Sequence, residues 1–342
     1  MKTVKLFCGV LGIVALLGLI GCTRTQTTQQ EARASAPQVI RIGHGSVEHP
    51  DHPVTIACYA LKDYIEEHSN GRYEVRIFPG SQLGTGVQQF EMVQMGTLDI
   101  TIFGIPNIPM FSDAVGGMDM PYLFRGDYDL MYQALSGPPG REMLTNLEAD
   151  TGIKALGYGF HVWRHFFMRN RPIRSLADCQ GQLLRVMESP IQRDIFMALG
   201  FSPVAMSLSE LYQAMNQGTI DGATFDMIGG VTEKYDEVVS YVTKSGHICF
   251  GSVMAMSDRL FSSLSPEDQQ LFIAAGAYAE EETYRRSVEL EADYEKQLEA
   301  LGVEIIEIDL EPFYAAVQPV IDRYTAQSPR IKAFVDAVTA MR

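Results

Sequence analysis

From Val39 to Gly104 the chain alternates short β-rich runs with stretches of helical period, and this alternation restricts its fold more than any other feature. Val39–Gly43 reads as a strand. His52–His68 reads as an amphipathic helix, with Ile56, Tyr59, Ala60 and Tyr64 near one stripe, and Ser69-Asn70-Gly71 stops it. Tyr73–Phe78 alternates as a second strand closed by Pro79-Gly80. Val87–Met95 reads as a helix ending at Gly96, and Leu98–Gly104 as a third strand. Strands that take turns with helices predict α/β layers around a mostly parallel sheet.

The pattern has an internal echo. Gln94-Met95-Gly96-Thr97-Leu98-Asp99 resembles Asn216-Gln217-Gly218-Thr219-Ile220-Asp221. Each closes a helix with Gly and opens a strand with Thr-aliphatic-Asp, which suggests two domains of related build. Residues 265–300 predict one long helix, opened by Ser265 as cap and Pro266 at the first helical position. The run Glu280, Glu281, Glu282 with Arg285 and Arg286 reads as a solvated helix face. Two shorter helices are expected over 311–325 and 329–341.

The N-terminus reads as an address. Lys2 and Lys5 precede an apolar run from Leu6 to Ile20, too short for a comfortable membrane span, which needs about 20 residues. It ends Leu19-Ile20-Gly21-Cys22, the pattern of a bacterial lipobox, so residues 1–21 are expected to be a signal and Cys22 the lipidated first residue. Residues 23–37 are polar and small and read as a tether of at most about 50 Å. Removing residues 1–21 deletes two lysines and no acid, which takes the net charge from −15 to −17. Such a charge argues against a backbone-reading nucleic-acid binder, although Arg164, Arg169, Arg171 and Arg174 make a local basic cluster. Beside the lipidated Cys22, the mature chain keeps Cys58, Cys179 and Cys249, an odd number without C-x-x-C spacing, which read as buried thiols.

Few segments carry chemistry. His44, His49 and His52 share a loop with Glu48 and Asp51, but the helical H-E-x-x-H spacing is absent and Pro50 and Pro53 hold the segment as a loop. It follows the first strand, at the sheet edge where α/β folds place ligands. No metal or cofactor is expected. There is no G-x-S-x-G elbow, no Walker A loop and no G-x-G-x-x-G before a helix, so an enzyme has no support. Arg164 and Arg185 each sit in a β-like apolar run. A guanidinium there needs an anionic partner, either an internal carboxylate or a ligand carboxylate held by a bidentate pair.

In order and spacing, several segments resemble one family. They are Gly43-His44 with Asp51-His52-Pro53, Phe78-Pro79-Gly80-Ser81-Gln82-Leu83-Gly84, the two Gly-Thr-aliphatic-Asp segments, Met120-Pro121-Tyr122-Leu123-Phe124-Arg125, Asn170-Arg171-Pro172-Ile173 and Leu184-Arg185-Val186. From about Ile40 to Leu301 the chain resembles the DctP-type solute-binding proteins of TRAP transporters. The resemblance implies two α/β domains closing on a solute, a hinge, a cleft between them and a long helix across both. The expected division is 38–159 plus about 248–285, and 160–247 plus about 286–342. It also implies a periplasmic or envelope location, delivery of a small organic solute to the small and large membrane subunits of an ion-driven permease, and no chemistry. Some family subsets also work with a periplasmic TPR-repeat protein.

Residue by residue, Arg185 matches the family arginine that pairs with a solute carboxylate, and Arg164 one that assists. Where the family commonly has Asn, Phe225 stands, with Asp226 next, and Gly86 and Val87 stand where charged residues often reach the solute. Trp163, Phe166, Phe167 and Met187 surround the arginines, and His44 and Tyr122, from the shared segments, complete the expected set of ligand-binding residues. These departures point to an aryl or alkyl carboxylate rather than a C4-dicarboxylate or sugar acid. Asp226 could instead take over the polar role, or pair with Arg185 and favour an amine or neutral solute. Two other readings stand beside the receptor: a lipid-anchored interaction or sensor module on the same fold, and a metal-dependent enzyme using the His44–His52 loop.

Overall fold

The computed structural model describes residues 36–342, so the expected signal, Cys22 and nearly all of the tether lie outside the described residues. The strands are β1 (Gln38–Gly43), β2 (Tyr73–Phe78), β3 (Ile100–Gly104), β4 (Ile153–Met168), β5 (Leu183–Val186), β6 (Ser202–Ala205), β7 (Gly222–Phe225), β8 (Tyr241–Ser257) and β9 (Glu304–Ile306). The α-helices are α1 (Pro53–His68), α2 (Gly86–Met95), α3 (Tyr128–Ser136), α4 (Pro138–Thr151), α5 (Pro190–Ala198), α6 (Leu208–Gln217), α7 (Met227–Thr232), α8 (Asp258–Phe261), α9 (Pro266–Ala300), α10 (Glu311–Gln327) and α11 (Pro329–Met341).

These strands form one sheet in the order β2-β1-β3-β8-β4-β7-β5-β6, with β9 on β8. The expected parallel pairing holds at the flanks, where β1 pairs β2 and β3, and β5 pairs β6 and β7. The centre differs. There β8 runs antiparallel to β3 and β4, and β4 antiparallel to β7. The flanks are strand-helix-strand units, which force parallel neighbours. The two central strands are 16 and 17 residues long and carry the chain from one flank to the other and back, so they meet head to tail. Their ladder shifts register between Ala155 and Gly157, Tyr158 and His161, and Arg164 and Phe166.

The internal echo is a repeated structural device. Gly96 and Gly218 cap α2 and α6 in the left-handed region, at φ 73° and 75°. Thr97 and Thr219 each donate a side-chain hydrogen bond to a carbonyl five residues back, that of Met92 (3.2 Å) or Ala214 (3.0 Å). Asp99 then accepts the Arg41 backbone N–H at 2.8 Å, and Asp221 the Leu183 N–H at 2.8 Å. Each carboxylate thereby ties the start of one strand to its parallel neighbour.

The long helix α9 starts as expected, with Ser265 capping Asp268 N–H and Pro266 at its first turn. It lies along α1, β4 and α7. A Cβ on Gly276 would stand 2.3 Å from the Leu156 carbonyl oxygen, so only glycine permits this approach of helix to strand. The Glu280 to Arg286 run departs from the expected solvated face. Glu280 is 2% exposed and takes both Arg141 terminal nitrogens, at 2.9 and 3.0 Å, together with the Tyr158 N–H at 3.2 Å. Arg286 and Tyr294 reach Asp51 in the loop after β1, at 2.9 and 3.0 Å. A helix packed across both flanks of a sheet buries faces that its own charge pattern does not reveal.

Apolar side chains bury between sheet and helices, each contributing about 1.5–3 kcal/mol. One cluster joins β1, β2, α1 and α9 through Ile42, Leu61, Val75 and Phe272; another joins α6, β7 and the far end of α9 through Leu211, Ala223 and Leu298. Cys58, Cys179 and Cys249 are buried free thiols, as read. Among the described residues no helix is long and apolar enough to cross a membrane.

Candidate functional site

A cavity opens where the carboxyl ends of the flanking strands face the central pair. The segments after β1 (Gly45, Ser46), β3 (Asn107), β5 (Met187, Glu188) and β7 (Asp226) line it, with Arg164 from β4 and Phe250 from β8. Pro53 and Val54 of α1, Val87 of α2, and Ser207, Leu208 and Ser209 around the start of α6 close it. About 950 Å³ lies between these walls, part of it open to solvent. This is the sheet edge where α/β folds hold ligands.

The two arginines are buried differently. Arg185, 4% exposed on β5, makes one side-chain hydrogen bond among the described residues, from Nε to the Met206 carbonyl at 3.0 Å. Burial pulls its pKa down to about 10, so it stays charged at neutral pH. Its charge is supported by Tyr235, Glu188 and Glu210. Arg164, 7% exposed on β4, donates from Nη1 to the Thr224 carbonyl at 2.5 Å. Its guanidinium carbon lies 4.0 Å from the Phe250 ring centre and 5.0 Å from that of Phe225, a cation–π setting. Burial opposes its charge, while Asp226, Tyr235 and Glu233 support it.

Asp226 caps α7, its Oδ1 accepting the Gly229 N–H at 2.7 Å, and burial raises its carboxyl above the usual range. Glu233 sits just past the same helix. Its Oε1 accepts the Val47 N–H at 3.1 Å, Ser46 donates to it as well, and burial lifts its pKa to about 7. His52 Nε2 stands 3.4 Å from the same Oε1. Burial drives the His52 pKa to about 3, so the ring is neutral. Its Nδ1 accepts the Val54 N–H at 3.2 Å as the cap of α1, and the remaining proton therefore sits on Nε2, facing Glu233.

Of the eight residues expected to bind ligand, the structure brings five together on this cavity: Arg185, Arg164, Phe225, Asp226 and Met187. Three lie elsewhere. Trp163 precedes Arg164 on a strand, so it points to the opposite sheet face, where it meets Tyr128 edge-on at 5.4 Å. Tyr122 packs against Tyr314 at 4.6 Å, behind the central strands. His44 is buried behind the loop that forms the cavity wall, and burial lowers its pKa to about 4. Phe166 shares the Trp163 side of the molecule through His247, stacked at 4.7 Å, and Phe167 packs edge-on to Phe225 at 6.0 Å.

Gly86 and Val87 line the cavity, as does part of the histidine loop. Sequence reasoning missed Glu233, Asn107, Phe103 and Phe250. Asn107 follows a strand end, which was a usable signal; Glu233 follows a six-residue helix that no pattern marked. Among the described residues no three His, Cys, Asp or Glu side chains converge as a metal site.

Residues 44–328 match the DctP family, described as bacterial extracellular solute-binding protein, family 7. The chain belongs to this family. It is the solute receptor of a TRAP-type importer. A solute-binding protein of Verminephrobacter eiseniae is 31% identical to the receptor over 297 residues, 86% of this chain and 88% of that one. The receptor's fold superposes on the sugar acid binding protein of Advenella mimigardefordensis, crystallised with galactonate, with TM-score 0.85, 26% identity, and coverage of 90% of this chain and 99% of that one. It also superposes on a TRAP periplasmic solute-binding protein from a Polaromonas species bound to D-erythronate, with TM-score 0.83, 28% identity, and coverage of 87% and 98%.

Proposed function

We propose that the receptor takes a small organic carboxylate into this cavity, grips it with Arg185, and passes it to the membrane subunits without altering it. The observation that carries this reading is Arg185 itself. It is a buried, charged guanidinium whose one hydrogen bond goes to a backbone carbonyl and whose outer nitrogens border an open cavity. A planar carboxylate is the natural complement to that fork. Relatives crystallised with galactonate and D-erythronate hold hydroxylated acids with one carboxylate. Here Ile102, Phe103, Val87, Met187, Leu208 and Phe250 offer much apolar wall. That wall suits a solute with an apolar body, in keeping with aryl and alkyl carboxylates.

In the same reading β4 and β8 are the hinge between two lobes, near the divisions at residues 159–160, 247–248 and 285–286. Cys22 carries a lipid that holds the mature receptor to a membrane. Metabolic labelling with a palmitate analogue checks the anchor, which Cys22→Ser abolishes.

Titration calorimetry of the full-length receptor against aryl, alkyl and sugar monocarboxylates tests the main proposal. One or more is expected to bind, with Arg185→Gln weakening it at least thirtyfold, as loss of a buried charged partner costs about 2–5 kcal/mol. Equal binding by the variant at unchanged stability refutes the role of Arg185. A receptor that binds neutral solutes and no carboxylate refutes the solute class.

A further inference from the structure

The loop between β1 and α1 reaches over the cavity to the other flank of the sheet. Strands β3, β8 and β4 stand between β1 and β7, so the two lie about 19 Å apart at about 4.8 Å per step. The segments that follow them nevertheless meet at the cavity mouth. The Val47 N–H donates to Glu233 Oε1 at 3.1 Å, and His52 Nε2 stands 3.4 Å from the same oxygen. The Glu233 side chain is 8% exposed there. Apolar groups join the flanks beside it. A Cβ on Gly45 would stand 4.0 Å from Leu208 Cδ2, and one on Gly104 3.2 Å from Met187 Cε. The loop is also braced away from the mouth. Asp51 accepts from Arg286 and Tyr294 at 2.9 and 3.0 Å, and Glu48 from Tyr59 at 2.6 Å. The Asp51 N–H in turn donates to His49 Nδ1 at 3.2 Å.

We infer that Glu233 is a positioning residue that latches the two flanks over a bound solute through the Val47 N–H, and so adds the same increment to the affinity for every solute. The inference rests on the cavity being a carboxylate site between hinged lobes. A cleft that grips its solute when closed binds with its intrinsic affinity scaled by the fraction of molecules able to close. A contact between protein and protein raises that fraction whatever the solute is. A hydrogen bond to a carboxylate is stronger than one between neutral groups, and more so where water is excluded. A braced loop also loses little freedom when it docks. The histidine loop thus acts as the fixed half of a clasp, and Glu233 as the half that closes on it.

Glu233 lines the cavity as well, so the test separates a latch from a direct hold on the solute. Butanoate, 3-phenylpropanoate, D-erythronate and galactonate are titrated into the full-length receptor by calorimetry. Glu233→Met keeps the length of the side chain and removes its oxygens. It is expected to weaken every solute that binds at least tenfold, about 1.4 kcal/mol, by factors that agree within threefold. Glu233→Gln still offers an oxygen to the Val47 N–H and is expected to weaken them less than threefold. Glu233→Ala serves as a second variant without the acceptor should Glu233→Met prove unstable, and melting temperatures verify that all are folded.

Three results overturn the inference while leaving the carboxylate reading intact. Unchanged affinities in the folded variants show that the contact carries nothing. Factors that differ more than tenfold between solutes show that Glu233 holds the solute itself. Equal losses with Glu233→Gln and Glu233→Met assign the effect to charge and not to the hydrogen bond. If no carboxylate binds the wild type, the underlying reading falls, and solution scattering of the solute-free receptor judges the latch by itself. A larger radius of gyration in Glu233→Met then upholds it, and equal radii overturn it.

Discussion

Replacing Arg141 with Met exposes how much the fold depends on one buried acid. Glu280 is 2% exposed and accepts both Arg141 terminal nitrogens and the Tyr158 N–H, joining α4, β4 and α9 at one point. Removing one member of a fully buried ion pair costs about 3–5 kcal/mol. The Arg141 side chain is 44% exposed, so water already screens part of the attraction, and a loss of about 2 kcal/mol is the working figure. For a chain of this size that is a fall in Tm of roughly 3 °C. Burial already holds the Glu280 pKa above its ordinary value in spite of Arg141. Taking Arg141 away raises it further. A group whose folded pKa lies above its unfolded pKa weakens the fold as pH rises through that range. The gap between wild type and Arg141→Met is therefore expected to be smaller near pH 5 and to widen toward pH 8. Thermal melts across that range, with Glu280→Gln as a partner variant showing a flatter gap, are the assay. A difference under about 0.5 kcal/mol at pH 8, or one independent of pH, refutes the reasoning by showing that Glu280 is solvated.

Two further outcomes follow from the packing. Gly276→Ala drives a methyl group into the Leu156 carbonyl and is expected to cost about 1–3 kcal/mol, read as a lower Tm; an unchanged melt shows that α9 can lift off β4 freely. Asp99→Ala and Asp221→Ala each remove a charged acceptor from a neighbouring strand's N–H and are expected to lose about 1.5–3 kcal/mol apiece by denaturant unfolding; a loss at one site only breaks the equivalence of the two devices.

The parts of the fold that could be read in advance are those decided locally. Ser265-Pro266 starts a helix, and Gly96 and Gly218 end one, because capping involves neighbours along the chain. The antiparallel centre could not be read, since the direction in which β8 meets β3 depends on residues some 150 positions apart. At the site, Arg164 and Arg185 stood out as charges set in apolar strands. Trp163 misled because proximity along a strand was taken for a shared face, while successive strand residues face opposite ways. The contact of His52 with Glu233 left no trace, being made between a loop and a helix end that only the folded sheet brings together.

The His52 ring faces two neighbours with opposite demands, and this constrains which residues the position can hold. Nδ1 must accept a hydrogen bond to begin α1, and Nε2 must fit within 3.4 Å of Glu233 Oε1. Asn, Asp and Ser begin helices well but are too short to reach across, whereas Lys and Arg reach but accept nothing. Drift at this position is thus blocked from both sides, and a change tolerated by the helix is felt at once by the cavity wall. Variation in solute preference among descendants of this chain is accordingly expected to accumulate at Val87 and Met187, which line the cavity and are only partly buried, while position 52 stays put.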